Sequence, residues 1–417
     1  MRGSEMRRSG IRGGKWLKAA AAACLGLGLL TGCTPAASDS QNGSAGAVCG
    51  AAGSETSAES EGGDSAGDSA PDVCAGASEL EAPEAAAAAA AEAASALSAK
   101  SLPSGGEAFE AYWLASGGLS GPLGVPAGGA TCELAGGGCL QEYSGGTLYA
   151  APSGLVVRLL PEIAERWAAT GAETGPYGYP AAEHECSTGA SGTSCWQRFD
   201  GGTLRWREDT GVVDCSVLEC VALTFDDGPA PDTGRLLNTL VDKNVQATFF
   251  VLGNRLGTKY APEFVRADQL GMEIGNHTWD HPHMRNLSAQ GARDQLARTN
   301  DRIAEAIGHA PYLYRPPYGE HNATTDALAG EIGLAIIGWD HTPNDWQPQS
   351  AEQLVDRTLQ GAQRGSIILL HDLHSVTVDA VPAIIDGLEE RGFTVATVGD
   401  LLGPLEPGTT HWTGSIG

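Results

Sequence analysis

The chain has 417 residues, of which 42% are hydrophobic and 18% charged, and its formal net charge is −26. This length and apolar content are sufficient for two or three packed domains. The negative charge argues against a nucleic-acid-binding protein, because phosphate recognition needs clustered Lys and Arg side chains. Eight of the ten cysteines lie beyond residue 33, which indicates an exported protein in an oxidising compartment.

Residues 1–33 have the pattern of a targeting segment rather than of a fold element. A basic leader precedes an apolar run, Ala19 to Leu30, that is too short to span a bilayer comfortably. The run ends in Leu30-Thr31-Gly32-Cys33, which resembles a bacterial lipobox. The resemblance implies an exported protein whose lipidated Cys33 anchors it to the outer face of the cytoplasmic membrane. An ordinary cleaved signal peptide with an incidental cysteine is the alternative.

Residues 34–100 have the composition of a disordered acidic linker. Residues 34–99 contain eleven Asp or Glu, no Lys or Arg and no aromatic residue. Seven consecutive alanines within residues 84–97 predict a local helix. A tether of this kind would let the following domains reach away from the membrane. We expect a Cys49–Cys74 disulfide to close a loop within it.

Residues 101–213 contain an internal repeat, because Trp113 and Trp167 are 54 residues apart and the same interval separates two Gly-Pro turns. Each copy also has a pair of cysteines before a Gly-Gly-Thr-Leu segment. The cysteine pairs occupy matching positions in the two repeats, and two further cysteines follow the repeats in the chain. Pairing them in this order predicts three disulfides. These are Cys132–Cys139, Cys186–Cys195 and Cys215–Cys220. A structural zinc site is the alternative, but the sequence contains no Cys-x-x-Cys.

The two turns read Leu123-Gly124-Val125-Pro126 and Tyr177-Gly178-Tyr179-Pro180. With the whole repeat pattern, they resemble the LGFP repeats of exported wall-associated proteins from actinobacteria, although neither segment is an unaltered match. The resemblance implies a small disulfide-bearing domain of two copies that binds the cell wall. The alternative is that the aromatic residues and glycines only build the core of each repeat, and no binding residue is predicted.

From Cys220 to about Leu405, strand-like runs alternate with helical periodicity, as in βα units. The strand-like runs are Val221–Phe225, Ala247–Leu252, Glu273–Asn276, Tyr312–Arg315, Ala335–Trp339, Ser366–Leu370 and Thr394–Val398. Seven strands with crossover helices predict an α/β barrel of parallel strands, with its chemistry at the C-terminal strand ends. We assign residues 216–405 to this domain and residues 406–417 to a C-terminal tail.

Two adjacent carboxylates, Asp226 and Asp227, follow the first of these runs and precede a Gly-Pro breaker. This arrangement predicts a buried strand that ends in a turn at the mouth of the barrel. Successive side chains on an extended backbone point to opposite sides, so one carboxylate can bind a metal while the other accepts a proton. The alternative is a solvated Asp-Asp turn.

A histidine pair, His277 and His281, follows the third predicted strand. Histidines spaced i, i+4 face one ion if the segment forms a helical turn, and Pro282 limits that helix to a single turn. With one carboxylate from the Asp-Asp pair, they predict a divalent metal site for Zn²⁺, with Co²⁺, Ni²⁺ or Mn²⁺ as alternatives. A surface turn is the competing interpretation, and His283, which breaks the spacing, is expected to face solvent.

Three further motifs end the fourth, fifth and sixth strand regions. Arg315 can pair with a carboxylate across the barrel mouth, or form a purely structural salt bridge. The proline-stiffened loop after it can present a backbone N–H to an oxyanion. His371 is a candidate general acid, with Asp345 holding its second nitrogen. Trp346 and Leu369 can wall a small apolar pocket, although such residues usually belong to the core.

Five segments of this region resemble, in order, the five motifs of the polysaccharide deacetylase family, which is the NodB homology domain or carbohydrate esterase family 4. They are TFDDGP at 224–229, HTWDH at 277–281, RPPYG at 315–319, DW at 345–346 and LLH at 369–371. The resemblance covers residues 216 to about 403 and implies a distorted (β/α)7 barrel. The implied roles are a base at Asp226, metal ligands at Asp227, His277 and His281, a base-orienting residue at Arg315, an oxyanion-binding backbone N–H at Tyr318, an acid at His371 tuned by Asp345, and an acetyl pocket at Trp346 and Leu369. Thr342 departs from the family pattern, since relatives often carry Asp at this position. The loop that carries Asp345 and Trp346 would therefore lack the local support that this Asp gives.

The resemblance implies a metal-dependent hydrolase that removes N-acetyl groups from amino sugars. The leader and the wall-type repeats favour peptidoglycan as the substrate, at N-acetylglucosamine or N-acetylmuramic acid. The alternatives are chitin oligomers, acetylated xylan, or a wall-binding lipoprotein with a vestigial barrel, against which the complete set of acid, base and ligands argues. We expect a monomer that has no nucleic-acid partner and touches the membrane only through its lipid anchor.

Overall fold

The computed structural model describes residues 106–414. The leader, the lipidation of Cys33, the acidic linker and the Cys49–Cys74 bridge all lie outside these residues. Across residues 106–414, no helix combines the length and the apolar character that a membrane crossing requires. The described residues form two repeat units followed by an α/β barrel.

Each repeat unit has one helix and a small antiparallel sheet. The first contains α1 (Gly106–Ala115), β1 (Cys139–Tyr143), β2 (Gly146–Ala150) and β3 (Val156–Arg158). The second contains α2 (Pro161–Ala169), β4 (Glu185–Gly189), β5 (Gly192–Phe199), β6 (Gly202–Arg207) and β7 (Gly211–Val212). One hydrogen bond recurs in both copies: the indole N–H of Trp113 donates to the carbonyl of Gly124 at 2.7 Å, and that of Trp167 donates to the carbonyl of Gly178 at 2.9 Å.

Three disulfides are present among the described residues, and their pairings confirm the prediction from spacing. They are Cys132–Cys139, Cys186–Cys195 and Cys215–Cys220. The first two lie at corresponding positions of the two repeats, and Cys186 and Cys195 face each other on β4 and β5. The third closes the link into the barrel. Each bridge restricts the unfolded chain over a short loop, which favours the folded state.

The barrel strands are β8 (Cys220–Asp226), β9 (Thr248–Val251), β10 (Glu273–Asn276), β11 (Leu313–Tyr314), β12 (Ala335–Ile337), β13 (Ile367–His371), β14 (Thr394–Ala396) and β15 (Thr410–His411). They are parallel in the order β13-β8-β9-β10-β11-β12-β15, and β14 pairs with the start of β8. The helices are α3 (Thr233–Asp242), α4 (Ala261–Gln269), α5 (Ala289–Ile307), α6 (Ala323–Glu331), α7 (Ala351–Gly361), α8 (Ser375–Glu390) and α9 (Val398–Leu402). All seven predicted strands are present, and the sheet curls into a distorted (β/α)7 barrel.

β15 is an addition that the sequence analysis did not predict, since residues from 406 onward were assigned to a tail. Thr410 and His411 pair with Ile336 and Ile337 and so extend the sheet beyond β12. Two polar residues form no apolar run, and hydrophobic periodicity therefore could not identify this strand.

The barrel core explains why β8 is a rigid base for its terminal carboxylates. All seven residues of β8 are buried, as expected for a parallel strand covered on both faces. Val221, Leu223 and Phe225 face the apolar side chains of α3, which include Leu236 and Leu240. The chain that leads into the Asp-Asp segment is consequently fixed by packing on each side.

The second repeat packs against the N-terminal end of the barrel through a buried arginine. Arg205 is 3% exposed and donates to Asp400 Oδ1 at 2.8 Å and to the carbonyl of Gly271 at 3.2 Å. Gly271 precedes β10, and Asp400 lies on α9, whose first backbone N–H groups donate to Thr248 and Glu273 at the starts of β9 and β10. The repeat therefore lies on the face opposite the carboxyl ends of the strands.

Replacement of Arg205 by alanine should destabilise the protein by about 3–5 kcal/mol, because it leaves Asp400 buried without its counter-charge. Arg235→Ala is the matched control, since Arg235 pairs with Asp379 at the surface and the change should cost less than about 1 kcal/mol. Urea denaturation gives the free energy of unfolding of each variant. Equal effects of the two substitutions would contradict a structural role for the Arg205–Asp400 pair.

Candidate active site and metal centre

The residues predicted to carry chemistry lie at the carboxyl ends of parallel strands. Asp226 is the last residue of β8, His277 follows β10, Arg315 follows β11 and His371 ends β13. Because these strands are parallel, their carboxyl ends meet at one edge of the barrel, which is where such barrels bind ligands. The fold thus brings together segments that are distant in sequence.

Asp227, His277 and His281 form a group that can hold a metal ion. One ligand atom from each lies within 4.8 Å of the others. Asp227 Oδ1 is 3.5 Å from His277 Nε2 and 3.6 Å from His281 Nε2. Two bonds of about 2.1 Å to one ion, at angles of about 90–110°, keep their ligand atoms about 3.0–3.4 Å apart. Asp227 Oδ1 is also buried and lacks a hydrogen-bond partner within residues 106–414, so the group fits a divalent cation.

The orientation of His277 leaves one ring nitrogen free as a ligand. Its Nδ1 lies 2.7 Å from the carbonyl oxygen of Arg315, which only accepts, so Nδ1 carries the proton and Nε2 presents its lone pair. His277 is 2% exposed, and this burial lowers the pKa of the imidazole to about 3. A neutral histidine anchored through its second nitrogen is the usual form of a metal ligand.

The two histidines converge through a loop, and the predicted helical turn is wrong. Thr278 and His281 have φ angles of 71° and 62°, which a right-handed helix excludes. Asn276 holds this conformation, because its side-chain oxygen accepts from the N–H of Thr278 at 2.7 Å and its side-chain nitrogen donates to Asn300 at 2.6 Å. Sequence reasoning missed Asn276, although an Asn that can bond the backbone two residues later is a known turn signal.

Asp226 is held by a fully buried arginine. Arg315 Nη1 donates to Asp226 Oδ1 at 2.9 Å and to Thr224 Oγ1 at 2.6 Å. The other carboxylate oxygen of Asp226 lies 3.6 Å from His277 Nε2, beside the candidate metal group. Burial raises the pKa of Asp226, and the guanidinium of Arg315 opposes that rise. The arrangement fixes the Asp226 carboxylate next to the candidate metal group.

His371 is paired with Asp345 as the sequence analysis expected. Its Nδ1 lies 2.8 Å from Asp345 Oδ1, and the second oxygen of Asp345 accepts from the His371 N–H at 2.7 Å and from Thr377 Oγ1 at 2.9 Å. Burial alone lowers the pKa of His371, but the bond and charge of Asp345, with the charges of Asp226 and Asp227, raise it to about 8. His371 lies opposite Asp226 in the register of the sheet, and Thr377 is a supporting residue that the sequence did not reveal.

Tyr318 lies in a turn, Pro317–Gly319, with a φ angle of 60°. Its side chain is 55% exposed, and its ring meets His281 edge-on at a centroid distance of 4.5 Å.

The expectation that His283 faces solvent was incomplete. Its side chain is half exposed, but its ring stacks on Tyr318 at 4.2 Å and its Nδ1 lies 3.0 Å from Glu320 Oε2. His283 thus supports the loop that carries Tyr318.

The two predicted pocket residues lie beside His371. Trp346 is 47% exposed and meets the His371 ring edge-on at 5.6 Å, while Leu369 precedes His371 by two residues on β13 and so faces the same side. In the loop before Trp346, Thr342 Oγ1 accepts from the N–H of Asn344 at 3.2 Å. The threonine therefore supplies local support at the position where it departs from the family pattern.

Two family profiles match the chain. The LGFP repeat matches residues 123–175, from the turn of the first repeat unit into the second. Polysaccharide deacetylase matches residues 216–337, which contain the TFDDGP, HTWDH and RPPYG segments. The DW and LLH segments follow the matched residues and lie at the same edge of the barrel.

Three relatives illustrate the similarity to known proteins. The peptidoglycan-N-acetylmuramic acid deacetylase PdaC of Bacillus subtilis is 40% identical over 183 residues, which are 43% of this chain and 38% of PdaC. The peptidoglycan-N-acetylglucosamine deacetylase PgdA of Listeria monocytogenes is 37% identical over 185 residues, 44% of this chain and 39% of PgdA. The chitin deacetylase of a Pestalotiopsis species is 34% identical over 200 residues, 46% of this chain and 67% of that protein.

The match therefore spans about two-fifths of the length of PdaC and PgdA and two-thirds of the chitin deacetylase. With the profile match, the motif order and the distorted parallel barrel, these similarities confirm the resemblance found in the sequence. The chain belongs to the polysaccharide deacetylase family.

Proposed function

We propose that this chain is a metal-dependent polysaccharide N-deacetylase that hydrolyses N-acetyl groups of amino sugars. One observation carries the proposal: a metal-ligand group, Asp227, His277 and His281, lies beside the buried carboxylate of Asp226. His371, which is paired with Asp345, lies opposite Asp226 in the register of β13 and β8. Amide hydrolysis needs a proton acceptor for water and a proton donor for the leaving amine, and these two groups meet that need.

Asp227, His277 and His281 would hold the divalent ion, with Zn²⁺ as the first choice for two imidazoles and a carboxylate. When bound, such an ion polarises the acetamide carbonyl and makes a neighbouring water more acidic. Asp226 accepts the proton of the attacking water, and Arg315 keeps its carboxylate in place through the 2.9 Å bond. The water oxygen then forms a bond to the carbonyl carbon.

His371 donates a proton to the amine nitrogen as the C–N bond breaks, so that the products are acetate and a free amino sugar. Asp345 stabilises the protonated imidazole and fixes its orientation. The backbone N–H of Tyr318, a residue whose ring contacts His281, donates to the oxyanion that forms on the former carbonyl oxygen. Trp346 and Leu369 border the place of the acetyl methyl group.

Peptidoglycan is the substrate that we propose, at either N-acetylglucosamine or N-acetylmuramic acid. PgdA and PdaC, which are named for these two activities, are similar to this chain. The LGFP match and the export signal predicted around Cys33 support a wall-associated, membrane-anchored location. The similarity to a chitin deacetylase favours chitin oligomers as the second candidate substrate.

Purified protein loaded with Zn²⁺ should release acetate from peptidoglycan or from N-acetylglucosamine oligomers, and a chelator should abolish the release. Asp226→Asn and His371→Asn should each lower kcat about 100- to 10,000-fold, because they remove the proton acceptor and the proton donor. Asp301→Asn, on the exposed side of α5, is the control and should leave kcat unchanged. Absence of acetate release from every glycan in the presence of metal would instead favour a wall-binding protein with an inactive barrel.

Mass spectrometry of muropeptides before and after treatment identifies the sugar. Replacement of one acetyl group by hydrogen on glucosamine or on muramic acid residues names the substrate. Modification of chitin oligomers but of no muropeptide would overturn the peptidoglycan assignment while leaving the deacetylase assignment intact.

Asp345→Asn should move the alkaline limb of the pH–rate profile to lower pH by roughly one pH unit or more. The reason is that Asp345 raises the pKa of His371, and only protonated His371 can donate to the amine. Thr377→Val is the matched control, because it removes a hydrogen bond to Asp345 but keeps the charge beside His371. An alkaline limb that stays in place in Asp345→Asn would contradict the assignment of His371 as the acid.

A further inference from the structure

The C-terminal segment brings a tryptophan to the edge of the barrel that carries the candidate site. β15 runs parallel to β12, with His411 opposite Ile337. The next residue, Trp412, therefore emerges at the carboxyl end of the sheet, as the functional residues do. Trp412 belongs to none of the five motifs, and neither family profile reaches it.

Gly338 allows the indole of Trp412 to lie directly against the rim of the barrel. A Cβ atom on Gly338, which follows β12, would be 2.0 Å from the indole, so any other residue there would displace the ring. A Cβ atom on Gly319 would be 3.7 Å from the same indole, which places Trp412 beside the loop of Tyr318. His321 and Trp339 flank it at centroid distances of 5.8 and 6.2 Å.

Trp412 is nevertheless 40% exposed. Among residues 106–414, three aromatic side chains are exposed to this degree: Tyr318, Trp346 and Trp412. Tyr318 contacts His281 and Trp346 contacts His371, so the first two border the candidate site. Large apolar side chains that gather at one exposed place mark a binding surface, and Trp412 extends this one beyond Tyr318.

We propose that Trp412 forms a second sugar subsite, in which the indole face covers the apolar face of the pyranose ring next to the sugar that is deacetylated. This inference rests on the proposed function and adds how a polymer is bound. A pyranose presents C–H groups on its face and hydroxyls at its edge, so a flat aromatic ring removes the apolar part from water while the hydroxyls stay solvated. The glycan would run from the metal group across Tyr318 to Trp412.

The occupant is a sugar rather than a peptide or a second copy of the chain, because the surface is continuous with the candidate site. A glycan whose acetyl group reaches the metal ligands can continue past the Tyr318 loop to Trp412, because the Gly319 position lies beside the indole. An indole that is 40% exposed offers apolar surface to a flat pyranose.

Binding measured without turnover tests the proposal most cleanly. In the Asp226→Asn background, calorimetry with N-acetylglucosamine oligomers of increasing length gives Kd for each length, in the presence of Zn²⁺. Addition of Trp412→Ala should raise the Kd of the longest oligomer roughly five- to thirty-fold and should reduce the gain in affinity with length. Trp412→Phe should retain most of that gain, and Val217→Ala, at an exposed position in the link between the second repeat and the barrel, serves as a control that leaves Kd unchanged.

Equal weakening at all lengths, together with a lower Tm, would show that Trp412 only secures β15, and it would overturn the proposal. An unchanged Kd for every length in Trp412→Ala, or no measurable binding of any oligomer, would overturn it as well. The same oligomer series distinguishes the sugar subsite at Trp412 from the proposed deacetylase activity. Length-dependent binding through Trp412 without acetate release by the wild-type chain would retain the sugar subsite and refute the deacetylase activity.

Discussion

Two neighbouring carboxylates stand at the end of a fully buried strand, and the surrounding site supplies the charges that balance them. Arg315, with no exposed surface, pairs with Asp226 at 2.9 Å. Within residues 106–414, Asp227 has no Lys or Arg within ion-pair distance, and its buried Oδ1 faces two imidazole nitrogens instead. A buried carboxylate oxygen without a counter-charge is costly, so a cation held by Asp227 and the two histidines would complete the balance of charge.

The loops around this site adopt left-handed backbone conformations that residues other than glycine rarely adopt. Asp227, Thr278, His281 and Tyr318 all have positive φ angles, and such angles cost of order 1–3 kcal/mol each unless the surroundings enforce them. Here the surroundings are buried strand ends and the side chain of Asn276, which bonds both Thr278 and the neighbouring helix. The rigid barrel thus sustains the strained backbone that brings Asp227, His277 and His281 together.

The two ends of the barrel are used differently. Arg205 and Asp400 fasten the second repeat to the N-terminal ends of the strands, whereas the candidate site and Trp412 occupy the carboxyl ends. The second repeat therefore leaves the carboxyl ends of the strands uncovered. Attachment through a buried ion pair also makes the second repeat part of the same packed unit as the barrel, rather than a module on a flexible link.

The strands, the disulfides and the grouping of the motif residues could be predicted from sequence, because apolar runs, cysteine spacing and strand-end motifs each have a local signature. The conformation of the histidine loop could not, since spacing alone does not reveal that Asn276 and a left-handed Thr278 replace a helical turn. β15 was missed because two polar residues join the sheet only through long-range pairing. Burial of Arg205 depends on contacts with residues almost two hundred positions away, which no local pattern encodes.

The most direct test of the charge-balance account is anomalous diffraction from crystals grown with Zn²⁺. The account predicts a single strong peak at bonding distance from the Asp227 carboxylate and from Nε2 of His277 and His281, and loss of that peak in Asp227→Ala. A Zn²⁺-saturated crystal with no ion at these three residues would contradict the charge-balance account. An ion bound to other side chains, while Asp227 faces only water, would contradict it as well.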